Sequence, residues 1–244
     1  MTLLWNIELA KKLKKMEFWE DYYNDDKIVG SDDFQKNVGR TKSGVTIPKK
    51  IWKKTLQDIE KLLNINKKTS EILELCCGNG QIIGNLSPKC KKAIGVDYSE
   101  KLLDQLKIKF GNSVITICSN VLDVSFKNDS FNVIIMYFAI QHFNEKEAVQ
   151  IIEKSIGWLK NGGKLYIGDI PNEVKKWEYI NTKEYRKDYI QRVIENRPMI
   201  GNWFQPDFFK AIGSYINNID VKIIEQPPYH INSSNRFDVL IEKK

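Results

Sequence analysis

Two rhythms of apolar and polar positions alternate along this chain. Short runs rich in β-branched residues at 71–76, 92–97, 114–119, 131–137, 164–170, 221–225 and 236–242 read as strands. Between the first five, apolar residues recur at helical spacing over 81–86, 100–110 and 145–159. An earlier helix runs over 48–63, where Ile51, Trp52, Leu56, Ile59 and Leu63 share a face and Lys49, Lys50, Lys53 and Lys54 lie mostly between them. Strand–helix alternation predicts right-handed crossovers and a parallel sheet covered on both faces. The last two strands, joined through Pro227-Pro228, read as a hairpin and hence as an antiparallel addition. The expectation is a doubly wound α/β fold.

The chemistry is concentrated at two strand ends. Ile72-Leu73-Glu74-Leu75-Cys76-Cys77-Gly78-Asn79-Gly80-Gln81 is an apolar run with a carboxylate that turns through glycines into a helix. Ala93-Ile94-Gly95-Val96-Asp97-Tyr98-Ser99 is a second apolar run ending in an acid, placed where a ribose diol needs an acceptor. A dinucleotide fingerprint would need Gly or Ala at the position held by Ile83, and no Gly-Lys-Ser/Thr ending marks a phosphate loop. An acid before the glycine turn suits a cofactor with a cationic amino-acid end and no phosphate. S-adenosylmethionine (SAM) has that chemistry.

The segment from Glu74 to Gly80 resembles motif I of the class I SAM-dependent methyltransferases, with Cys76 at the first glycine position. The similarity continues in order through Ser119-Asn120-Val121-Leu122-Asp123, Asp129-Ser130-Phe131-Asn132-Val133 and Leu159-Lys160-Asn161-Gly162-Gly163, covering roughly residues 70 to 170. The resemblance implies a mostly parallel seven-stranded sheet with an antiparallel C-terminal strand. It also implies helical lid segments before the first strand and after the fifth. Residues 1–244 then form one domain, divided as an N-terminal lid 1–66, a SAM-binding core 67–170, a lid insertion 171–204, and a C-terminal helix and hairpin 205–244. Phe18-Trp19-Glu20-Asp21-Tyr22-Tyr23 falls in the first lid, and Trp177, Tyr179, Tyr185 and Tyr189 fall in the insertion.

The resemblance also assigns roles. Glu74 would bind the methionine ammonium, with backbone at Cys76, Gly78 and Gly80 around the same end. Asp97 would accept the ribose hydroxyls, with Ser99 next to it in the same segment, and Tyr98 and Leu122 would sandwich the adenine. Asn120 and the Val121 amide would address the adenine edge, while Met136 and Tyr137 would face the sulfonium. The product would be S-adenosylhomocysteine (SAH). His142 is the candidate catalytic base, or else a packing residue of the following helix, and Asp169 is the fallback. Arg40 reads as an exposed loop arginine, with a clamp on an acceptor anion or on the SAM carboxylate as the alternative.

Composition narrows the picture further. At 244 residues the chain suits one large α/β domain. Its longest apolar run, 133–140, is far short of a membrane span, and the charged N-terminal stretch does not read as a signal peptide, so a cytoplasmic location without membrane attachment is expected. Cys76, Cys77, Cys90 and Cys118 lack metal-ligand spacing, and no metal is expected. The net charge of +7 is concentrated over 36–68, a solvated helix face or an electrostatic surface for an anionic substrate. The leading expectation is methylation of an O or N atom on a small-molecule acceptor. The alternatives are an RNA or protein methyltransferase docking through 36–68, and a non-catalytic SAM-fold protein. Met136-Tyr137-Phe138-Ala139 stands where base- and glutamine-methylating enzymes carry Asn/Asp-Pro-Pro-Tyr, which disfavours those acceptors.

Overall fold

The computed structural model describes residues 22–42, 45–195 and 201–244. Residues 18–21 of the aromatic run therefore lie outside the described residues. Short pieces come first: α1 (Asp26–Val29), then the two-stranded pair β1 (Thr41–Lys42) and β2 (Val45–Thr46). Further helical residues at 22–24 and a 3-10 turn at Lys36–Val38 precede the long helix α2 (Lys49–Leu63).

The main sheet is built from β3 (Glu71–Leu75), β4 (Lys92–Asp97), β5 (Ile115–Cys118), β6 (Phe131–Tyr137), β7 (Leu159–Pro171), β8 (Ile219–Glu225) and β9 (Arg236–Lys243). Their order is β5-β4-β3-β6-β7-β9-β8. The first five run parallel, and β9 lies antiparallel between β7 and β8. The chain thus leaves β3 in one direction and returns to its other side through β6. That reversal of strand order puts the ends of β3, β4 and β6 around one crevice.

Among the described residues, six α-helices follow α2: α3 (Ile83–Leu86), α4 (Glu100–Phe110), α5 (Glu145–Trp158), α6 (Lys176–Tyr179), α7 (Lys183–Ile194) and α8 (Pro206–Tyr215). Strand alternation divides the core between two faces. Leu73, Leu75, Ile94, Val96, Ile134 and Met136 pack under α5 and α8, against Ala148, Ile152, Phe209 and Ile212. Ile72, Ala93, Val133, Ile135 and Tyr137 pack under α2, α3 and α4, against Trp52, Ile59, Leu63, Leu103 and Leu106. The stripe read from α2 is therefore the inner face of that helix, and its lysines 49, 50, 53 and 54 are exposed.

Two boundaries differ from the sequence expectation. The helix expected at 81–86 starts only at Ile83, because the chain is still turning at Gly80 (φ 76°). Strand β7 begins at Leu159, five residues before the expected start. Leu159 already pairs with Phe131, and the register then shifts between Phe131 and Val133 to absorb the Gly162-Gly163 segment.

Gly168 faces Tyr137 across the β6–β7 pair, and a Cβ there would come within 2.3 Å of the Tyr137 ring. That ring also packs against Tyr166 and Trp52. Gly157, inside α5, has only an ordinary 3.5 Å contact in the same position. Gly168→Ala is expected to lower unfolding free energy by about 1–3 kcal/mol through overpacking. Gly157→Ala should raise it by about 0.4–1 kcal/mol, and urea denaturation of both variants checks the contrast.

Candidate functional site

A cavity of about 270 Å³ opens at the carboxyl ends of β3, β4, β5 and β6. Its floor is the turn after β3. Cys76 and Gly78 there both adopt left-handed backbone, with φ of 55° and 53°. Such a conformation suits glycine and costs a side-chain-bearing residue like Cys76. Gly78 also needs to lack a side chain for space, since a Cβ would lie 2.9 Å from Val38 Cγ1.

Asp97, the last residue of β4, ties this turn to the next strand. Its Oδ2 accepts from the Gly78 N–H at 2.7 Å and its Oδ1 from the Ser99 N–H at 2.9 Å. The side chain is buried yet lines the cavity. Tyr98, Asn120, Val121 and Leu122 continue the wall. Asn120 Oδ1 accepts the Leu122 N–H at 2.9 Å, so its first task is to shape that loop. Its amide nitrogen has no such commitment among the described residues.

Several expected site residues line the cavity: Cys76, Gly78, Asp97, Tyr98, Asn120, Val121, Leu122, Tyr137 and His142. Four others stand behind the wall. Glu74 points into the turn, where its Oε2 accepts the Ile83 N–H at 2.8 Å and satisfies the start of α3. Gly80 packs on α4, where a Cβ would lie 2.7 Å from Leu106 Cγ. Met136 belongs to the apolar cluster beneath α5. Ser99 caps α4 by accepting the Leu102 N–H at 3.2 Å, and its hydroxyl donates to the Tyr23 carbonyl at 2.7 Å.

That last bond leads to the N-terminal segment, where the sequence offered Arg40 as a possible clamp and gave Tyr23 and Val38 no individual role. Tyr23, Val38 and Arg40 all line the cavity. The segment carrying them is held by amide side chains: Asn79 Nδ2 donates to the Phe34 carbonyl at 2.8 Å and Gln105 Nε2 to the Val29 carbonyl at 2.6 Å. The Tyr23 ring meets the His142 imidazole edge-on, with centroids 6.1 Å apart and planes at 81°. Nothing in the local spacing of Tyr22-Tyr23 distinguishes such a contact from ordinary packing.

Arg40 corrects an expectation. It is not an exposed loop residue but is buried, with its guanidinium 4.5 Å from the Trp52 ring centroid and 5.0 Å from that of Tyr137. A planar cation stacks well on aromatic faces, which is why this loop can carry an arginine inward. Asp169, the fallback base, does not line the large cavity. Among the described residues no group of His, Cys, Asp and Glu could hold a metal ion, and no helix is long and apolar enough to cross a membrane.

The reversal of strand order, the glycine turn and the acid at the end of the second core strand define a Rossmann-like methyltransferase fold. Residues 72–163 match the family described as a methyltransferase domain. Over 161 residues it is 24% identical to phosphoethanolamine N-methyltransferase 1 of Arabidopsis thaliana, covering 60% of this chain and 32% of that protein. It therefore spans about a third of the curated relatives of that name. Phosphoethanolamine N-methyltransferase 1 of Haemonchus contortus, solved with phosphoethanolamine and SAH, superposes with a TM-score of 0.67 at 10% identity, covering 96% of this chain and 49% of that one. Magnesium protoporphyrin IX methyltransferase of Synechocystis, solved with SAH, gives 0.63 at 13% identity, covering 94% of this chain and all of that one (100%).

Two buried acids give the site a pH signature. Burial pushes the Glu74 carboxyl up to about 8, against the Ile83 N–H and the Arg40 charge that hold it down. Burial likewise pushes Asp97 up to about 6, against the N–H groups of Ser99, Gly78 and Tyr98. An acid with a raised folded pKa keeps a proton that the unfolded chain has already lost, so stability falls as pH rises between the two values. The melting temperature of the unliganded protein should therefore decline as pH rises from 5 to 8. Glu74→Gln, which retains an acceptor for Ile83, should remove most of that decline in the upper half of the window, as thermal denaturation across pH would show.

Proposed function

We propose that this chain is a SAM-dependent methyltransferase that moves a methyl group to an oxygen or nitrogen of a small-molecule acceptor. The observation that carries this reading is Asp97. Its carboxylate is anchored by one backbone donor in the turn after β3 (Gly78) and one just past β4 (Ser99), and it lines a slot whose walls include Tyr98, Val121 and Leu122. A carboxylate oxygen accepts more than one hydrogen bond, so acceptor capacity remains for a ribose diol. An aromatic ring and an aliphatic side chain nearby suit the two faces of an adenine.

When bound, SAM supplies a methyl group already activated by its sulfonium. The chain's own task is then to position and to exclude water, which contributes about 7–11 kcal/mol of barrier lowering in well-oriented reactions. Asp97 would accept from the ribose hydroxyls, Tyr98 and Leu122 would flank the adenine, and Asn120 with the Val121 amide would meet its edge. Backbone at Cys76 and Gly78 would hold the methionine end, and Tyr137, Tyr23 and His142 would border the acceptor. Glu74 supports this end from behind, by holding the turn. His142 takes the proton that an acceptor hydroxyl or ammonium must lose, with the Tyr23 ring holding the imidazole in place.

Calorimetric titration with SAM and SAH tests the reading: both should bind, and absence of heat with either would remove it. Asp97→Ala should weaken SAH binding by at least about tenfold, the effect of losing hydrogen bonds to a charged acceptor. His142→Gln should slow methyl transfer by about 10²–10⁴ while leaving SAH affinity unchanged. An unaltered rate in that variant would remove the base from the mechanism.

A further inference from the structure

Beside the large cavity lies a much smaller one of about 10 Å³, room for a single oxygen atom. Arg40 and Tyr137 are walls of both cavities. Trp52, Thr55, Asp169, His230 and Asn232 are further walls of the small one, together with the apolar Ile47, Ile51 and Ile231.

Its polar groups are unbalanced. Among the described residues, Arg40 Nε and Nη1, Trp52 Nε1 and both ring nitrogens of His230 are buried without a hydrogen-bond partner. Each of these three side chains is only 7% exposed. The nearest carboxylate to His230, Asp58 Oδ2, stands 3.7 Å from Nε2, outside hydrogen-bond reach. A neutral imidazole presents one N–H in either tautomer. Three residues of the pocket wall therefore carry unmatched N–H groups.

Its acceptors are fewer: the second ring nitrogen of His230, and groups already partly engaged. Asp169 Oδ1 accepts from Gln226 at 3.2 Å and Oδ2 from Asn232 at 3.4 Å, while the Thr55 hydroxyl donates to the Ile51 carbonyl at 3.1 Å. Buried donors are ordinarily satisfied. A water molecule has only two lone pairs for these donors, and its two hydrogens can go to the second His230 nitrogen or to Asp169. An oxygen of an anion brings only acceptors. Asp169 partly offsets the Arg40 charge, so recognition here rests on the unmatched N–H groups more than on net charge.

We propose that Arg40, Trp52 and His230 form an anion subsite that takes an oxygen of a carboxylate or phosphate group on the methyl acceptor, so that the acceptor is an acidic small molecule. This rests on the methyltransferase reading, because the large cavity that shares Arg40 and Tyr137 is where the cofactor is placed. The subsite lets Arg40 hold the acid group while Tyr137, on the same two cavities, borders the atom to be methylated.

The test uses the full chain saturated with SAH and titrated with inorganic phosphate and with acetate, chloride serving as the ionic-strength control. Phosphate or acetate should raise the melting temperature saturably, beyond any effect of chloride. Trp52→Phe keeps a ring against Arg40 and removes one donor, and His230→Leu removes another. Each should weaken anion binding by about tenfold, as loss of one hydrogen bond to a charged group does, with SAH affinity unchanged. No saturable effect of either anion would mean that water fills the pocket, and the proposal would fall. It would also fall if the variants weakened SAH but not 5′-methylthioadenosine, which lacks the amino-acid end; the donors would then serve the cofactor's own carboxylate. Failure of SAH to bind at all would sink the methyltransferase reading separately, and the same anion titration of the unliganded chain would still decide whether the subsite exists.

Discussion

Asp97 holds two strand ends together with a single carboxylate. One oxygen takes the Gly78 N–H at 2.7 Å, the other the Ser99 N–H at 2.9 Å, and the neighbouring Cys77 N–H reaches the Val96 carbonyl at 3.0 Å. These bonds hold the turn after β3 against the end of β4, and the cavity floor is the result. Burial raises the carboxyl's pKa because the site removes water from it. A buried carboxylate with directed acceptors and little solvent is poised to gain from any ligand that donates two hydroxyls. Glu74 has the complementary role a layer deeper, giving α3 the acceptor that its first turn lacks.

Backbone strain is gathered at the same edge. Cys76, Phe138 and Asp169 are side-chain-bearing residues with φ near 55–59°, and they fall at the carboxyl ends of the adjacent strands β3, β6 and β7. Residues held this way persist only where their surroundings over-determine them. Here the Phe138 N–H donates to the Gly168 carbonyl, and the Asp169 N–H donates to Asp238. Arg236 Nη1 donates to the Asp169 carbonyl while its guanidinium lies 5.2 Å from the Phe138 ring centroid. A buried polar network that also includes Tyr166 and Gln226 therefore supports the strained edge from the β9 side. The apolar clusters on the two faces hold the strands, and this network holds their ends.

The N-terminal segment is attached differently. Residues 22–42 meet the core largely through amide side chains and backbone, with Asn37, Asn79 and Gln105 sharing one hydrogen-bonded group. Contacts of this kind specify position more than they add stability, since each exchanges with water at a modest net gain. What they position is chemically decisive: Tyr23 beside His142, Val38 over Gly78, and Arg40 between two aromatic rings.

By itself the sequence determined the sheet, the order of its motifs and the acid at the end of β4. The reason is that these depend on local period, on glycines in a turn and on short-range spacing. The strands at 92–97 and 131–137 and the helix at 100–110 stand where the pattern put them. Tertiary structure alone decided which side chains face the cavity. Glu74 and Met136 lie on strands whose ends reach the site, yet one turns to cap α3 and the other enters the core. Arg40, Trp52 and His230 are scattered over nearly two hundred residues, and no periodicity marks them as neighbours. Their meeting follows from how α2, the N-terminal segment and the hairpin connection fold against β6 and β7. Long-range packing of that kind leaves its trace in unpaired buried donors, which a linear sequence cannot display.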